Sequence, residues 1–291
     1  LRYALYFQGG LTVAVQASRT TQPHRPARAF APSRGILQDI VVEHGAVELL
    51  GRFFLSAERM ARERGVELSF GTFEELLEVN EQNRDTWKPI TTMYDHRHCP
   101  VGLGPDKAFV IFGRDPSGRI VATHAGRIYD LDGSSLKAEA ESLRIFYDKP
   151  EDAETGKLPG ERCEVDSPAA ASMQGRLLIN GAVWYHPDYR KRQLSTIIPR
   201  IARAHAHTRW KIDRSMGLMM EGPTRGGVID SLGYTHREWG LQLIDAPNGS
   251  PRCCLAWMEA ADELEIDLQN FLARTVAGAQ VDAGVDQRRA Q

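Results

Sequence analysis

The chain has 291 residues, of which 42% are hydrophobic and 25% are charged, a composition typical of a globular protein with one large domain or two small ones. Its formal net charge of −2 gives no general attraction to nucleic acid. No apolar run reaches the roughly eighteen residues that a membrane-spanning helix needs, so we expect neither a nucleic-acid nor a membrane partner. Four cysteines, two of them adjacent at Cys253 and Cys254, are a poor disulfide framework and favour a reducing, cytoplasmic location.

The N-terminal segment is predicted to lie outside the folded domain. Leu5 to Gly9 resembles the remnant of an engineered protease site used for tag removal, and Gly10 to Gly35 has the composition of a flexible arm. Apolar residues then recur at helical spacing from Ile36 to Arg64, with Gly65 as a stop. The sequence therefore predicts a long first helix, with Gly45 or Gly51 as the place of a break.

The middle of the chain alternates between strand and helix signals. Thr72 and Glu75 form a capping box. Asp115-Pro116-Ser117-Gly118 lies between two apolar runs and predicts a hairpin. The predicted elements are strand Val66 to Phe70, helix Thr72 to about Trp87, strands Lys107 to Gly113 and Arg119 to Tyr129, a helix in Ser135 to Tyr147, a loop over Asp148 to Glu161, strand Leu177 to Tyr185, a helix from Leu194 to about Trp210, strand Met216 to Met220, helix Val228 to Leu232, strands Glu238 to Ile244 and Arg252 to Met258, a closing helix over Leu264 to Leu272, and a disordered tail from about Thr275.

The segment around residue 190 carries the clearest chemical signal. The strand Leu177 to Tyr185 is apolar on both faces, and Pro187 ends it because proline lacks the N–H that a central strand needs. A basic turn follows, and then a helix whose first N–H groups and dipole suit a phosphate. Arg190, Lys191 and Arg192 would strengthen the attraction for a diphosphate. A plain loop with solvated charges is the alternative interpretation.

Tyr185 to Ser195 resembles motif A of the GNAT superfamily of acyl-coenzyme A dependent N-acyltransferases. In that family a strand ends in a Val-x-Pro-x-Tyr-Arg type sequence, followed by Arg/Gln-x-x-Gly-x-Gly/Ala and a long helix. Gln193 stands where the family has its first glycine, and Ser195 stands where it has the second glycine or an alanine. With Ser195 or Thr196 as N-cap, Pro199 would fall in the first helical turn or at its edge.

The resemblance implies an α/β (α+β) fold with a mixed, mostly antiparallel sheet, two splayed parallel strands and helices on both faces. The implied division is a helical extension over residues 36–65, an acyltransferase domain over 66–262, and a C-terminal helix and tail over 263–291. The long N-terminal helix is an addition to the family core and is compatible with a homodimer.

The resemblance also implies an activity, namely acetyl or other acyl transfer from acyl-coenzyme A to a primary amine by direct attack in a ternary complex. Acetyl-CoA would be the cosubstrate without a metal, and the acceptor a small-molecule or peptide amine. The implied coenzyme-binding residues are Trp184, Tyr185, Arg190, Lys191, Arg192, Gln193, Leu194, Ser195 and Thr196. Two alternatives stay open: a GNAT fold that binds coenzyme A or another ligand without transfer, and a transferase that uses another activated acyl donor.

The acid and base are less obvious from the residues. The tyrosine that often protonates the leaving thiolate in the family corresponds to Ile229 here. Glu221 at the end of a strand is the first candidate base, followed by Tyr234, Tyr185 and Glu164. Arg200 and Arg203 are expected to be solvated, with contact between Arg200 and a coenzyme phosphate as the alternative.

The segment Tyr94 to Cys99 contains two histidines and a cysteine but lacks a second pair at zinc spacing, so a polar loop is predicted instead of a metal site. Residues 88–106 and 130–165 are expected to border the acceptor site, and they carry no signature of its chemistry.

Overall fold

The computed structural model describes residues 35–221 and 228–289, without the side chains of residues 228, 230, 261 and 276–289. The predicted tag remnant, nearly all of the predicted arm and the turn at 222–227 lie outside the described residues. Eight strands form one sheet in the order β1-β2-β3-β5-β6-β8-β7-β4. They are β1 Glu67–Gly71, β2 Ala108–Arg114, β3 Ile120–Asp130, β4 Arg162–Val165, β5 Arg176–Tyr185, β6 Arg214–Met220, β7 His236–Ile244 and β8 Arg252–Glu259.

The sheet is antiparallel except at its centre, where β5 and β6 run parallel. Helices cover both of its faces. They are α1 Val47–Glu63, α2 Phe73–Gln82, α3 Leu136–Glu141, α4 Pro168–Ser172, α5 Leu194–Trp210, α6 Val228–Leu232 and α7 Ala260–Arg289, with short 3-10 helices at Ile36–Gln38, Thr92–Tyr94 and Pro187–Tyr189. The predicted mixed, mostly antiparallel fold with one parallel pair is confirmed.

Two apolar cores lie on opposite faces of the sheet. Helices α1, α5 and α7 pack on one face and contribute residues such as Phe53, Ile198 and Leu268. Helices α2, α3 and α4 pack on the other face, with Leu76 and Leu136 among the buried residues. We call these the α5 face and the α2 face.

Local signals in the sequence predict several element boundaries well. Thr72 and Glu75 form the predicted capping box, with each side chain accepting from the other residue's backbone N–H. Asp115 Oδ1 accepts from the backbone N–H groups of Ser117 and Arg119, which fixes the predicted hairpin. These contacts join residues two to four positions apart, so the sequence alone can reveal them.

The first helix breaks at Gly45, one of the two predicted positions, which has a φ of 90°, and its long segment begins at Val47. Other elements differ from the prediction. Strand β4 and helix α4 were not predicted, because β4 is a four-residue edge strand whose charged residues alternate with buried ones. The predicted disordered tail is helical as far as Arg289.

Helix α5 begins at Leu194 as predicted, but its N-cap precedes the predicted Ser195 or Thr196. Its N-cap is Gln193 and its first residue is Leu194, so Pro199 lies inside the helix beyond the first turn. The prediction for Pro199 is therefore wrong, and the helix has no N–H to donate at this position.

Candidate active site

The two parallel strands separate at the centre of the sheet. Their pairing runs from Leu177 opposite Arg214 to Asn180 opposite Gly217. Beyond that point β5 stays paired with β3 as far as Tyr185, while β6 stays paired with β8 as far as Met220. A gap therefore opens between residues 181–185 of β5 and 218–220 of β6, which we call the inter-strand gap.

A β-bulge bends β5 where the gap begins. The register with β3 shifts between Thr123 and Ala125, and Ala182 has a φ of 49°. Thr123 Oγ1 donates to the carbonyl oxygen of Ala182 at 2.7 Å and holds the bulge. Bulges re-aim a strand in this way at functional sites in many sheets.

The last residue of β5 directs its backbone toward the gap. His186 N–H donates to Val121 O on the β3 side at 2.8 Å. Since neighbouring residues of a strand direct their backbone groups to opposite sides, Tyr185 N–H and C=O face the gap. The guanidinium of Arg190 reaches back and donates from Nε to Tyr185 O at 3.1 Å.

The loop between β5 and α5, residues 186–193, has an unusual backbone. Lys191 and Gln193 have φ values of 62° and 59°, in the left-handed region that favours glycine. Gln193 stands where the family motif has its first glycine, so here a residue with a side chain adopts a conformation that glycine adopts without strain. A non-glycine residue in this region costs on the order of 1 kcal/mol.

The loop presents cations around the start of α5. Arg192 lies over the Tyr189 ring, 4.2 Å from its centroid, and donates from Nη1 to Arg64 O at 3.2 Å. Lys191 and Arg192 are exposed. Leu194 and Ser195 occupy the first two helical positions, whose N–H groups have no intrahelical partner. Thr196 N–H already donates to Gln193 O at 3.0 Å, so this amide has a partner within the chain.

Of the four predicted acid-base residues, Tyr185 and Glu221 lie at the open end of the parallel pair, Tyr234 lies at its closed end, and Glu164 lies outside it. Tyr185 ends β5 and Glu221 follows β6, so both lie at the open end, where Glu221 is exposed. The Tyr185 hydroxyl is buried on the α5 face without a hydrogen-bond partner among the described residues, and burial raises its pKa. Glu164 lies on the edge strand β4, three strands away from β6, which places it outside the gap.

Tyr234 lies at the closed end of the inter-strand gap, where its hydroxyl contacts the side chain of Asn180. Asn180 Nδ2 lies 3.1 Å from the Tyr234 hydroxyl and also donates to Ser215 Oγ at 2.9 Å. His124 donates from Nε2 to Asn180 Oδ1 at 3.0 Å. Burial lowers the pKa of His124 to about 4, so its ring is neutral, and burial raises the pKa of Tyr234. The sequence prediction missed Asn180, although a lone amide in an apolar strand is a usable signal.

Two buried arginines of α5 lie behind this network. Arg200 Nη2 and Arg203 Nη2 lie 2.9 and 3.3 Å from the two oxygens of Asp267 on α7. The Arg203 guanidinium lies 5.2 Å from the Tyr234 ring centroid, and Arg203 is fully buried. The prediction that these arginines are solvated is wrong, because α7 covers them and supplies the carboxylate.

Residues on the α2 face border the gap. Trp184 stacks on Trp87, with ring centroids 5.5 Å apart, and its indole N–H donates to Thr86 Oγ1 at 3.3 Å. Asn248 Nδ2 donates to the carbonyl oxygens of Pro89 and Ile90 at 3.2 and 3.1 Å. The segment after α2 is thus tied down beside the end of β5.

Two of the three candidate metal ligands between Tyr94 and Cys99, His98 and Cys99, have separate partners within the chain. His98 Nδ1 lies 2.7 Å from Thr155 O, and Cys99 Sγ donates to Phe146 O at 3.3 Å. Within residues 35–221 and 228–289, no group of three or more histidine, cysteine or acidic side chains has a geometry that could hold a metal ion. No helix in the same part of the chain is long and apolar enough to cross a membrane.

No protein-family model and no curated protein matches the chain. Among solved structures it is similar to aminoglycoside acetyltransferase AAC(6')-Ib in complex with coenzyme A and kanamycin, with 11% identity, a TM-score of 0.39, and coverage of 68% of this chain and 96% of that one. It is also similar to mutant forms of the Vibrio cholerae spermidine/spermine N-acetyltransferase SpeG, with 7% identity, a TM-score of 0.40, and coverage of 69% of this chain and 96% of that one. A third similar structure is Arabidopsis thaliana NAA60 in complex with a bisubstrate analogue, with 10% identity, a TM-score of 0.38, and coverage of 66% of this chain and 97% of that one.

Similarity at this level concerns the general course of the chain and says nothing of its activity. The topology of the sheet and the sequence of the loop are more specific. A central parallel pair separates beside a loop of the motif A type, which leads into a long helix. The described part of the chain therefore has the mixed, mostly antiparallel sheet with one separating parallel pair that the resemblance to the GNAT superfamily implies.

Proposed function

We propose that the protein is an N-acyltransferase that transfers an acetyl or other acyl group from acyl-coenzyme A to a primary amine. The observation that carries this proposal is the inter-strand gap, which opens directly beside the cationic loop and the first turn of α5. A phosphate-binding end and a narrow slot between strands together suit a long ligand with a diphosphate at one end and a thioester at the other.

The diphosphate would lie at the N-terminus of α5. The N–H groups of Leu194 and Ser195 and the positive end of the helix dipole favour an anion there. Arg190 and Arg192 supply charge-assisted contacts, and the small Ser195 leaves room for the backbone to approach. The thioester arm would then enter the inter-strand gap along Trp184 and Tyr185.

Transfer would proceed by direct attack. The amine nitrogen forms a bond to the thioester carbonyl carbon, and the carbon–sulfur bond breaks. The gap-facing N–H of Tyr185 would stabilise the developing oxyanion. The amine loses one proton, for which Glu221 is the candidate acceptor, and the thiolate gains one, for which the Tyr234 hydroxyl is the candidate donor. Holding both reactants in one slot supplies a large part of the rate.

Calorimetric titration with acetyl-CoA tests the donor half of this proposal. We expect micromolar binding by the wild type and at least about tenfold weaker binding by the Arg190→Glu, Arg192→Glu double variant, because two charge-assisted contacts become repulsive. Lys211→Glu, at the opposite end of α5, is the matched control and should bind as the wild type does. Equal binding by the double variant would remove the loop from the site.

A screen of primary amines, with detection of the released thiol, tests the transfer half. Turnover of at least one amine class supports an acyltransferase. Tight binding of acetyl-CoA without turnover of any amine would favour the second function, a fold that binds the coenzyme without transfer. The Gln193 side chain in the loop is the feature that favours this second function, since a glycine lets the backbone approach a phosphate more closely.

A further inference from the structure

The C-terminus of α1 and the β5–α5 loop together form one surface depression. Its lining residues are Glu63, Arg64, Gly65, Lys191, Arg192 and Gln193. Helix α1 belongs to the N-terminal extension, which was predicted to be an addition to the family core. The extension therefore lies directly beside the loop where the proposed coenzyme site begins.

Reciprocal hydrogen bonds hold the two sides of the depression together. Arg64 donates from Nη2 to Gln193 Oε1 at 3.0 Å and from Nη1 to Met60 O at 2.8 Å. In the other direction, Arg192 donates from Nη1 to Arg64 O at 3.2 Å. These contacts keep the Arg64 guanidinium beside the residue that takes the place of the family's glycine.

The depression has an excess of positive charge. Arg64, Lys191 and Arg192 contribute three cations, against one carboxylate from Glu63. Glu63 also lies 3.7 Å from Arg59 on the outer surface of α1, which offsets its charge. Lys191 and Arg192 are exposed and Arg64 is half-buried, so an anion in solution can reach all three.

We propose that Arg64 binds the 3′-phosphate of coenzyme A, so that α1 forms part of the acyl-donor site. This inference rests on the proposed function. The first turn of α5 can serve the diphosphate, and coenzyme A carries a further phosphate monoester on its ribose that needs a second cationic position. Arg64 now donates to a neutral amide oxygen, and exchange for a phosphate oxygen gives a stronger, charge-assisted bond.

A cycle of two ligands and two proteins tests the assignment. Calorimetry would measure the affinity of coenzyme A and of 3′-dephospho-coenzyme A for the wild type and for Arg64→Gln. For the wild type we expect removal of the 3′-phosphate to weaken binding about tenfold, and for Arg64→Gln only about twofold. Dephospho-coenzyme A should bind both proteins equally. Arg59→Gln, one turn earlier on α1, should keep the wild-type ratio, and Arg64→Lys should keep a ratio above that of Arg64→Gln.

Two outcomes would overturn the role of Arg64 while leaving the proposed function intact. One is an unchanged tenfold ratio in Arg64→Gln. The other is an equal loss for both ligands, which means that Arg64 acts on the diphosphate or through Gln193. The same comparison of Arg64 with Arg64→Gln in proteins that also carry Gln193→Gly separates these routes, because Arg64 cannot act there through the Gln193 side chain. A direct contact between Arg64 and the 3′-phosphate still changes the ratio of the two affinities in these proteins. If the folded wild type binds neither ligand, the proposed function itself fails, and this inference fails with it.

Discussion

Two pairs of arginines on or near α5 have opposite surroundings. Arg190 and Arg192, before the helix, are exposed and contact carbonyl oxygens and an aromatic ring. Arg200 and Arg203, within the helix, are buried and share the carboxylate of Asp267. The exposed pair can exchange its contacts for a ligand at little cost, whereas the buried pair depends on one internal anion. The same residue type therefore serves binding at one end of the helix and structure in its middle.

The largest predicted effect is the loss of stability when the buried arginine pair loses its shared carboxylate, that of Asp267. Asp267→Asn leaves two buried cations without an anion, and we expect a loss of about 3–5 kcal/mol in the free energy of unfolding. Urea unfolding monitored by circular dichroism measures this loss. Asp262→Asn, on the exposed first turn of the same helix, should change stability by less than about 0.5 kcal/mol. A loss below about 1 kcal/mol for Asp267→Asn would contradict the dependence of the buried pair on this residue.

The buried region should also respond to pH, unlike the exposed loop. Burial lowers the pKa of His124 and His205 to about 4 and about 3, whereas the unfolded chain titrates near 6.5. Between these values the unfolded state binds protons that the folded state does not bind. Stability is therefore complete above pH 6.5 and falls as the pH is lowered. At pH 5 each of these histidines should lower the free energy of unfolding by on the order of 2 kcal/mol.

Unfolding free energies measured from pH 8 to pH 5 test this sign and magnitude. Between pH 8 and 7 His124 and His205 should not change the free energy of unfolding. His205→Phe, which keeps a ring among Phe70, Phe109 and Trp210, should remove the contribution of His205 to the pH dependence of the unfolding free energy, on the order of 2 kcal/mol between pH 6.5 and 5. A variant with the full wild-type slope would show that His205 is not the titrating group.

One hydroxyl in the buried polar network around Asn180, that of Tyr234, should affect the rate of acyl transfer. If Tyr234 protonates the leaving thiolate, Tyr234→Phe should lower turnover by about a hundredfold with any amine that the screen identifies. Donor affinity should change less than about twofold, because the hydroxyl acts in the transition state. Tyr185→Phe is the matched control, since its hydroxyl has no partner in the described part of the chain, and it should keep most of the activity. Equal losses in both variants would contradict the assignment.

The same contrast explains which features the sequence could reveal. The hairpin at Asp115, the capping box at Thr72 and the strand-loop-helix course around Arg190 depend on neighbouring residues, and all three were predicted. The partnership of Arg203 with Asp267 joins residues 64 positions apart, and that of Arg64 with Gln193 joins residues 129 apart. Contacts of this kind depend on how α1 and α7 pack on α5, which no local pattern specifies.

The smallest predicted effect concerns the strained backbone of the exposed loop. Gln193 has a φ of 59°, and its side chain accepts a hydrogen bond from Arg64. Gln193→Ala removes this hydrogen bond and keeps the strain, so it should destabilise the protein by about 0.5 kcal/mol. Gln193→Gly loses the same bond but relieves a strain on the order of 1 kcal/mol, so it should be more stable than the alanine variant by about that amount. Thermal unfolding of the two variants measures the difference directly. Equal stability would mean that the loop relaxes out of the left-handed conformation, and the backbone geometry proposed for diphosphate binding would then depend on the side chain of Gln193.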